Sequence, residues 1–406
     1  MRPGRGERIQ SLHLFPILIP VARKLFIAVF FALCLLPTVQ TFTHIVKERP
    51  IDENRNLAKA PSRDTDFNLW LKTANEWFGD HFGFRPLLIR IKSQIDFSIF
   101  DTSDRVLIGK DGQLFYRSTV NVQEPAEEEF LADHASEVAA GIQAFAKKMR
   151  SRNVRVVVVI NPMADYFYPE LLPDSASHRP LNSRIDALGR TLQSLPDIAY
   201  VDAPGILRRA MAERRVFHRT DFHWNDPAAF LVAHAIVQRI AEAENLSKDP
   251  WRHELKIKIV HESGWIARFM PVFVPPAEDA LYVERNWTLP AGFRYESKAG
   301  LFEESFYAAP ESGQLLPPVV FVGDSFFDGM LRSGIAASFQ ESKRIRWKRN
   351  LTVDQVADAI PREARWVVVQ FIEVSGVALN GFADYARSAG AGGFNARTDV
   401  STPRLP

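Results

Sequence analysis

Ser325 ends the run Val319-Val320-Phe321-Val322-Gly323-Asp324-Ser325-Phe326, where a short apolar segment led by Pro317-Pro318 stops at a glycine. Four consecutive apolar residues bounded this way predict an interior strand, and Gly323 permits the tight turn that leaves it. A serine at such a turn is lifted to the carboxyl edge of a sheet, where backbone N–H groups at the next helix start can stabilise an oxyanion. The competing reading is a plain strand-to-helix turn with Asp324 or Ser325 as N-cap. A serine nucleophile needs a base and an orienting group, and Thr220-Asp221-Phe222-His223-Trp224-Asn225 supplies both. In an extended loop Asp221 and His223 point the same way, so Asp221 can accept from one ring nitrogen and leave the other to take the Ser325 proton. Asp226-Pro227, read as N-cap and first helical residue, opens a helix continued by Phe230, Ala233, Val237 and Ile240.

A metal centre is the alternative for His223, with His218 as a second ligand, but one cysteine and no second ligand cluster argue against it. His234 is a packing or surface residue of the following helix. Trp224 is a sugar platform or a core aromatic. Asn161 is a second oxyanion donor or an Asx turn with Pro162.

The order Asp-x-His-Trp-Asn and then, 102 residues after His223, Gly-Asp-Ser-Phe resembles the SGNH-type acetyltransferase domain of the AlgJ, AlgX and DltD-like group. Asn54-Arg55-Asn56-Leu57-Ala58, Asp80-His81-Phe82-Gly83-Phe84-Arg85, Val106 through Tyr116, Tyr168-Pro169-Glu170-Leu171-Leu172-Pro173 and Gly264 through Met270 extend the likeness over roughly residues 50 to 380. Where that group carries a basic residue after the first core strand, this chain has Asn161-Pro162-Met163-Ala164-Asp165. Where it often carries Glu-Arg near the end, this chain has Ile372-Glu373-Val374-Ser375. Both loops belong at the carboxyl edge of the sheet and bear on acceptor choice.

The resemblance implies an SGNH-like α/β fold and an O-acetyltransferase acting on an exported polysaccharide. Ser325, His223 and Asp221 are the implied triad, and Trp224, Asn161 and Tyr168 the candidate substrate contacts. No bound cofactor or metal is implied; the acetyl group comes from a donor, ultimately acetyl-coenzyme A, through a membrane-bound O-acyltransferase partner. An esterase with the same triad and a non-catalytic polymer-binding scaffold are the alternatives.

The elements that must position these residues follow the same plan. Glu137 to Met149 and Ile185 to Leu195 predict helices; Val154 to Ile160, Ala199 to Asp202 and Trp366 to Phe371 predict strands. Their alternation predicts a parallel sheet with helices on both faces. At 406 residues with 46% hydrophobic and 24% charged, the chain has ample core, and a net charge of +2 excludes a nucleic-acid stripe. Lys343 to Arg349 reads as a solvated connection before a strand.

Arg2, Arg5, Arg8, Arg23 and Lys24 precede an apolar segment over 25–46 that holds Cys34, the single cysteine. This predicts a cytoplasmic basic N-terminus over 1–24, an uncleaved membrane-spanning signal-anchor, a catalytic domain over 47–385 in the periplasm beside a bacterial inner membrane, and a flexible tail over 386–406. A cleaved signal peptide is the competitor. No appended carbohydrate-binding module is expected, because the residues after Ser325 are needed to finish the sheet.

Overall fold

The computed structural model describes residues 15–51, 55–62, 66–120, 128–176, 183–251, 253–284, 289–290, 292–297, 300–308, 315–348 and 351–391. Asn54, the basic residues Arg2, Arg5 and Arg8, and the tail from 392 lie outside them. Two compact units divide the chain: Met1–Asp101 with Pro271–Val274, and Thr102–Met270 with Pro275–Pro406. Residues 47–101, expected within the catalytic domain, therefore group with the N-terminal helix.

The first unit holds α1 (Phe15–Thr43), α2 (Phe67–His81) and α3 (Arg85–Phe100). Within α1, Arg23–Thr43 is long and apolar enough to cross a bilayer, consistent with a single-pass anchor. The helix stops before 46 because His44 takes a positive φ of 48°. Two of the motifs meet here. Asp80 accepts from Arg55 at 2.9 Å and from the Ala58 N–H at 2.8 Å, and the Arg55 hydrogen bond holds its carboxyl well below the usual range. A Cβ on Gly83 would lie 2.2 Å from Pro37 O. Only glycine lets the α2–α3 turn press on α1, where the Gly83 N–H donates to Thr41 Oγ1 at 2.8 Å.

The second unit opens with the hairpin β1 (Val106–Ile108) and β2 (Leu114–Tyr116), short α4 (Arg117–Val120) and long α5 (Glu128–Arg150). There follow β3 (Arg155–Asn161), α6 (Ala164–Phe167), α7 (Arg184–Gln193), β4 (Ile198–Val201), α8 (Ala203–Ala210) and α9 (Asp226–Ala243). Next come β5 (Ile257–Glu262), α10 (Trp265–Phe269), β6 (Glu278–Val283), β7 (Arg294–Ser297), β8 (Phe302–Tyr307), β9 (Val319–Gly323) and α11 (Phe327–Arg332). The chain ends through β10 (Glu341–Arg346), α12 (Val353–Ala359), β11 (Trp366–Ile372) and α13 (Gly376–Ala391). Part of the expected tail, 386–391, is thus helical.

Seven strands form one sheet in the order β4-β3-β11-β9-β10-β8-β7. The five from β4 to β10 are parallel and β8 and β7 add an antiparallel edge. Period-two alternation splits the core. Val157, Val159, Phe321 and Val368 face one apolar layer with α8, α9 and α11; Val156, Val158, Val322, Val369 and Phe371 face the other with α5, α7, α12 and α13. Each fully buried valine or phenylalanine contributes about 1.5–3 kcal/mol. Burial on both faces explains why β3 and β9 read as nearly continuous apolar runs and β11 as one broken only by Gln370. The order places β9 between β11 and β10, with its carboxyl end at the rim.

Candidate active site

Ser325 lies in the turn after β9, and the sheet beneath fixes that turn. A Cβ at Gly323 would lie 2.5 Å from Gln370 Oε1, so glycine is required where β9 passes β11. Asp324 does not cap a helix with its side chain; it staples the turn to its neighbours. Its Oδ1 accepts from the Phe326 N–H and from Gln370 Nε2, both at 2.9 Å, and its Oδ2 accepts from the Ile372 N–H at 2.8 Å. Burial pushes this carboxyl up, and the hydrogen bonds from Gln370, Phe326 and Ile372 oppose the shift. Gln370 also donates to Asn161 Oδ1 at 3.1 Å, so Asn161, Gln370 and Asp324 form a buried polar row across β3, β11 and the turn after β9.

On the other side stands Arg344 of β10, with only 2% of its side chain exposed. It donates to Asp324 O at 3.1 Å and to Glu304 at 2.8 Å, and also binds Asp328. The first four residues of the basic run expected to be a solvated connection, Lys343 to Arg346, are therefore strand, and Arg349 lies outside the described residues. The carboxylates of Glu303, Glu304 and Asp328 pair with Arg344 and Arg346, and Arg344 supports the turn that carries Ser325.

The loop of His223 is closed at its base by paired Phe217 and Trp224 and by Asn225 N–H to Val216 O at 3.0 Å. Asp221 and His223 converge through an Asx turn rather than an extended strand: Asp221 Oδ1 accepts from the His223 N–H at 3.1 Å and meets His223 Nδ1 at 2.7 Å. Asp221 Oδ2 accepts from the Trp265 N–H at 3.0 Å. Burial alone would raise the Asp221 carboxyl, but hydrogen bonds from His223 and the Trp265 N–H, with the imidazole charge, hold it well below the usual range. His223 Nε2 is 2.8 Å from Ser325 Oγ. The rings of Phe222 and Phe326, 4.0 and 4.8 Å away by centroid, fix the imidazole plane.

Further groups hold this loop, and one of them, Glu278, was not named by sequence reasoning at all. Glu278 of β6 accepts from the Arg219 N–H, the Thr220 N–H and Thr220 Oγ1, each at 2.7 Å. Thr220 Oγ1 accepts in turn from the Gly264 N–H at 2.9 Å. A Cβ on Gly264 would sit 2.6 Å from Thr220 backbone atoms, which gives the Gly264–Met270 motif its physical meaning: it brings the Trp265 amide to Asp221. His218, buried and 3.9 Å from Glu278, has its pKa lowered by burial against the pull of Glu278 and Asp221.

Of the substrate contacts expected from sequence, Trp224 borders the cavity over Ser325 with almost no exposed surface, and Tyr168 and Asn161 lie buried away from it. Trp224 is 1% exposed and donates from Nε1 to Phe326 O at 3.0 Å, locking the histidine loop to the serine turn. Tyr168 is buried, its hydroxyl accepting from the Val216 N–H at 3.0 Å. Asn161 is fully buried beneath the turn. Asn225, not Asp226, is the N-cap of α9, accepting from the Ala228 N–H at 3.0 Å. Asp226 instead takes three hydrogen bonds from Arg332 at 2.7–3.0 Å. His234 pairs with Asp249 at 2.8 Å and stacks on Trp251.

A cavity of about 340 Å³ opens over Ser325 and His223, walled by Glu262, Trp265, Arg268, Tyr282 and Arg332. Burial and the neighbouring Glu262 keep the Tyr282 phenol protonated far above neutrality. The Ser325 N–H has no protein acceptor among the described residues and is available to an oxyanion. Among the described residues no group of three His, Cys, Asp or Glu side chains is placed to hold a metal ion. The arrangement is a serine hydrogen-bonded to a histidine–aspartate pair under a polar, hydrogen-bonding cavity.

Comparison with known proteins gives the family. The model of the SGNH hydrolase-like domain, acetyltransferase AlgX, matches residues 106–330. The probable alginate O-acetylase AlgJ of Pseudomonas syringae pv. tomato is 24% identical over 208 residues, 50% of this chain and 51% of that protein. Its Pseudomonas aeruginosa counterpart is 27% identical over 176 residues, 42% of each. The chain thus spans about half the length of these curated relatives. Among solved structures, Bacillus cereus PatB1 with a sulfonyl adduct superposes with a TM-score of 0.51 at 12% identity, covering 69% of this chain and 99% of that one. The O-acetyltransferase domain of Pseudomonas putida AlgJ gives 0.49 at 17% identity, covering 70% and 99%. With an SGNH-like α/β sheet in place and more than half its length matched, the chain belongs to the family of SGNH hydrolase-like, AlgX-type acetyltransferase domains.

Proposed function

We propose that this chain is a membrane-anchored O-acetyltransferase that works outside the cytoplasm and places acetyl groups on hydroxyls of an exported polysaccharide. The observation that carries the reading is the continuous hydrogen-bonded chain from Asp221 through His223 to Ser325 under a polar cavity. His223 Nε2 takes the Ser325 hydroxyl proton as Oγ attacks the donor carbonyl. The Ser325 N–H meets the oxyanion, the donor's leaving group departs with the proton from His223, and acetyl-Ser325 remains. A sugar hydroxyl then gives its proton to Nε2 and attacks the ester; Ser325 leaves as the alkoxide and is reprotonated by His223. Asp221 holds the imidazole tautomer and balances the imidazolium.

The cavity walls supply donors and acceptors together with the half-exposed Trp265 ring, a lining suited to a sugar. Acetyl-coenzyme A is cytoplasmic, so a membrane-bound acyltransferase partner delivers the acetyl group, and α1 keeps the enzyme beside it. Hydrolysis would use the same triad with water as acceptor. With a small activated acetyl ester as donor, the purified protein should form acetyl-Ser325 and transfer it to an oligosaccharide faster than to water. Ser325→Ala and His223→Ala should abolish transfer while remaining folded, and Asp221→Asn should lower it by about a thousandfold or more. Normal polymer acetylation in cells carrying Ser325→Ala would replace this reading with the scaffold, and water as the preferred acceptor for every oligosaccharide would replace it with the esterase.

A further inference from the structure

Helices α2 and α3 contain no buried residue, yet each carries an apolar stripe at helical spacing. On α2 it is Phe67, Trp70, Leu71, Ala74 and Phe78; on α3 it is Leu88, Ile91, Ile95 and Ile99. The large members range from 38% exposed at Trp70 to 71% at Phe67. Exposed apolar stripes of this kind mark surfaces that something covers.

The turn between the helices says what covers it. Gly83 touches Pro37, Gln40 and Thr41 and donates to Thr41 Oγ1, while the apolar span runs to Thr43. These contacts fall two to six residues inside the end of the span, roughly 3–9 Å along the axis at the helical rise. That is the depth of the boundary between headgroups and acyl chains, where amphipathic helices lie. Over α2 and α3, Lys72, Arg85, Arg90 and Lys92 nearly balance Glu76, Asp80 and Asp96, and Asp80 is already paired with Arg55. Attraction to anionic lipid is therefore a minor contribution, and apolar burial supplies the affinity.

We propose that α2 and α3 form an interfacial platform, with their apolar stripes seated in the leaflet that α1 exits. The inference rests on α1 spanning the bilayer and is independent of the chemistry at Ser325. The test uses the full chain in vesicles of neutral phosphatidylcholine. Its native Cys34 is exposed on α1 and carries an environment-sensitive fluorophore to report the span. In a Cys34→Ser background, Phe78→Cys, Leu88→Cys and Ile95→Cys report the stripes, and Lys72→Cys and Glu76→Cys report the opposite face of α2. Labels on the stripes should be quenched by brominated lipid about threefold or more above the opposite-face labels, and shielded from aqueous iodide. Iodide quenching of the stripe labels would overturn the platform and leave the surface for a protein partner absent from the vesicles. Shielding from both quenchers would overturn it in favour of protein cover, which is a second copy where the shielding is lost on dilution into excess lipid. A Cys34 label untouched by lipid would remove the span and the platform with it.

Discussion

Glu278 lies outside the proposed triad, and its removal should disable the triad. Its carboxylate takes three hydrogen bonds from Arg219 and Thr220, each at 2.7 Å, with about a tenth of the side chain exposed. Hydrogen bonds to a charged acceptor contribute about 1.5–3 kcal/mol each, and water replaces part of what is lost at a site near the surface. Glu278→Ala should therefore lower unfolding stability by about 2–4 kcal/mol in urea titrations. The effect on rate is argued from position. Thr220 adjoins Asp221 and accepts from Gly264, whose neighbour Trp265 donates to Asp221. Releasing Thr220 frees both supports of that carboxylate, and a displacement near 1 Å at the chemistry lowers rate about a hundredfold.

The expected result for Glu278→Ala is thus a kcat lower by about a hundredfold with KM for the oligosaccharide changed by less than about threefold. Glu278→Gln keeps an oxygen for Thr220 but turns an N–H₂ toward the Arg219 N–H, and should fall between, at about tenfold. Acetyl transfer followed by mass spectrometry of the oligosaccharide measures both. A folded Glu278→Ala protein with kcat within about twofold of the parent would refute the argument that this carboxylate positions the base.

Asp221 has a folded pKa below its unfolded one, so its contribution to stability is full above the ordinary carboxylate pKa of about 3.9 and is lost as pH falls toward the folded value. The urea midpoints of the parent and Asp221→Asn should accordingly differ at pH 7 and converge as pH drops below about 4. Arg344→Met leaves Glu304, Asp328 and the Asp324 carbonyl without their shared donor and should lower stability by about 3–5 kcal/mol in the same titration, with Arg344→Lys recovering little because an ammonium cannot span the three acceptors. Trp224→Phe removes the donor to Phe326 O and should cost about 1–3 kcal/mol of stability with KM for the oligosaccharide unchanged; a large rise in KM alone would restore Trp224 as a sugar contact.

The central sheet and the three residues of the proposed triad were legible because each is written locally. Unbroken valine runs mean a strand buried on both faces, Gly-Asp-Ser means a turn at its end, and Asp-x-His is close enough to pair within its own loop. The elements that hold these residues were not legible, since they are brought in from distant positions: Gln370 and Ile372 to Asp324, Glu278 to Thr220, Gly264 to Thr220 and Trp265 to Asp221. Nothing within a few residues of Gln370 or Glu278 marks them as support for a catalytic turn. The sequence features that could have pointed there were the Gly264–Met270 motif and a glutamine inside an otherwise apolar strand, since a buried amide must find partners.

Lys343 to Arg349 shows why composition misleads in the other direction. Seven residues with five cations read as a solvated stretch, and a buried arginine is costly unless it is paired. The pairing comes from Glu304 on β8, directly opposite Arg344 in the antiparallel register, and from Asp328 one turn beyond Ser325. The cost of burying Arg344 is offset only when β8, β10 and the nucleophile turn are all in place, so the same cation reports on the assembly of three segments. A charged residue at the centre of a β-strand beside a nucleophile turn therefore serves fold and site together: Arg344 bonds the backbone carbonyl of Asp324, immediately before Ser325, and its loss should be felt in the geometry of the serine before it is felt in the cavity that the substrate enters.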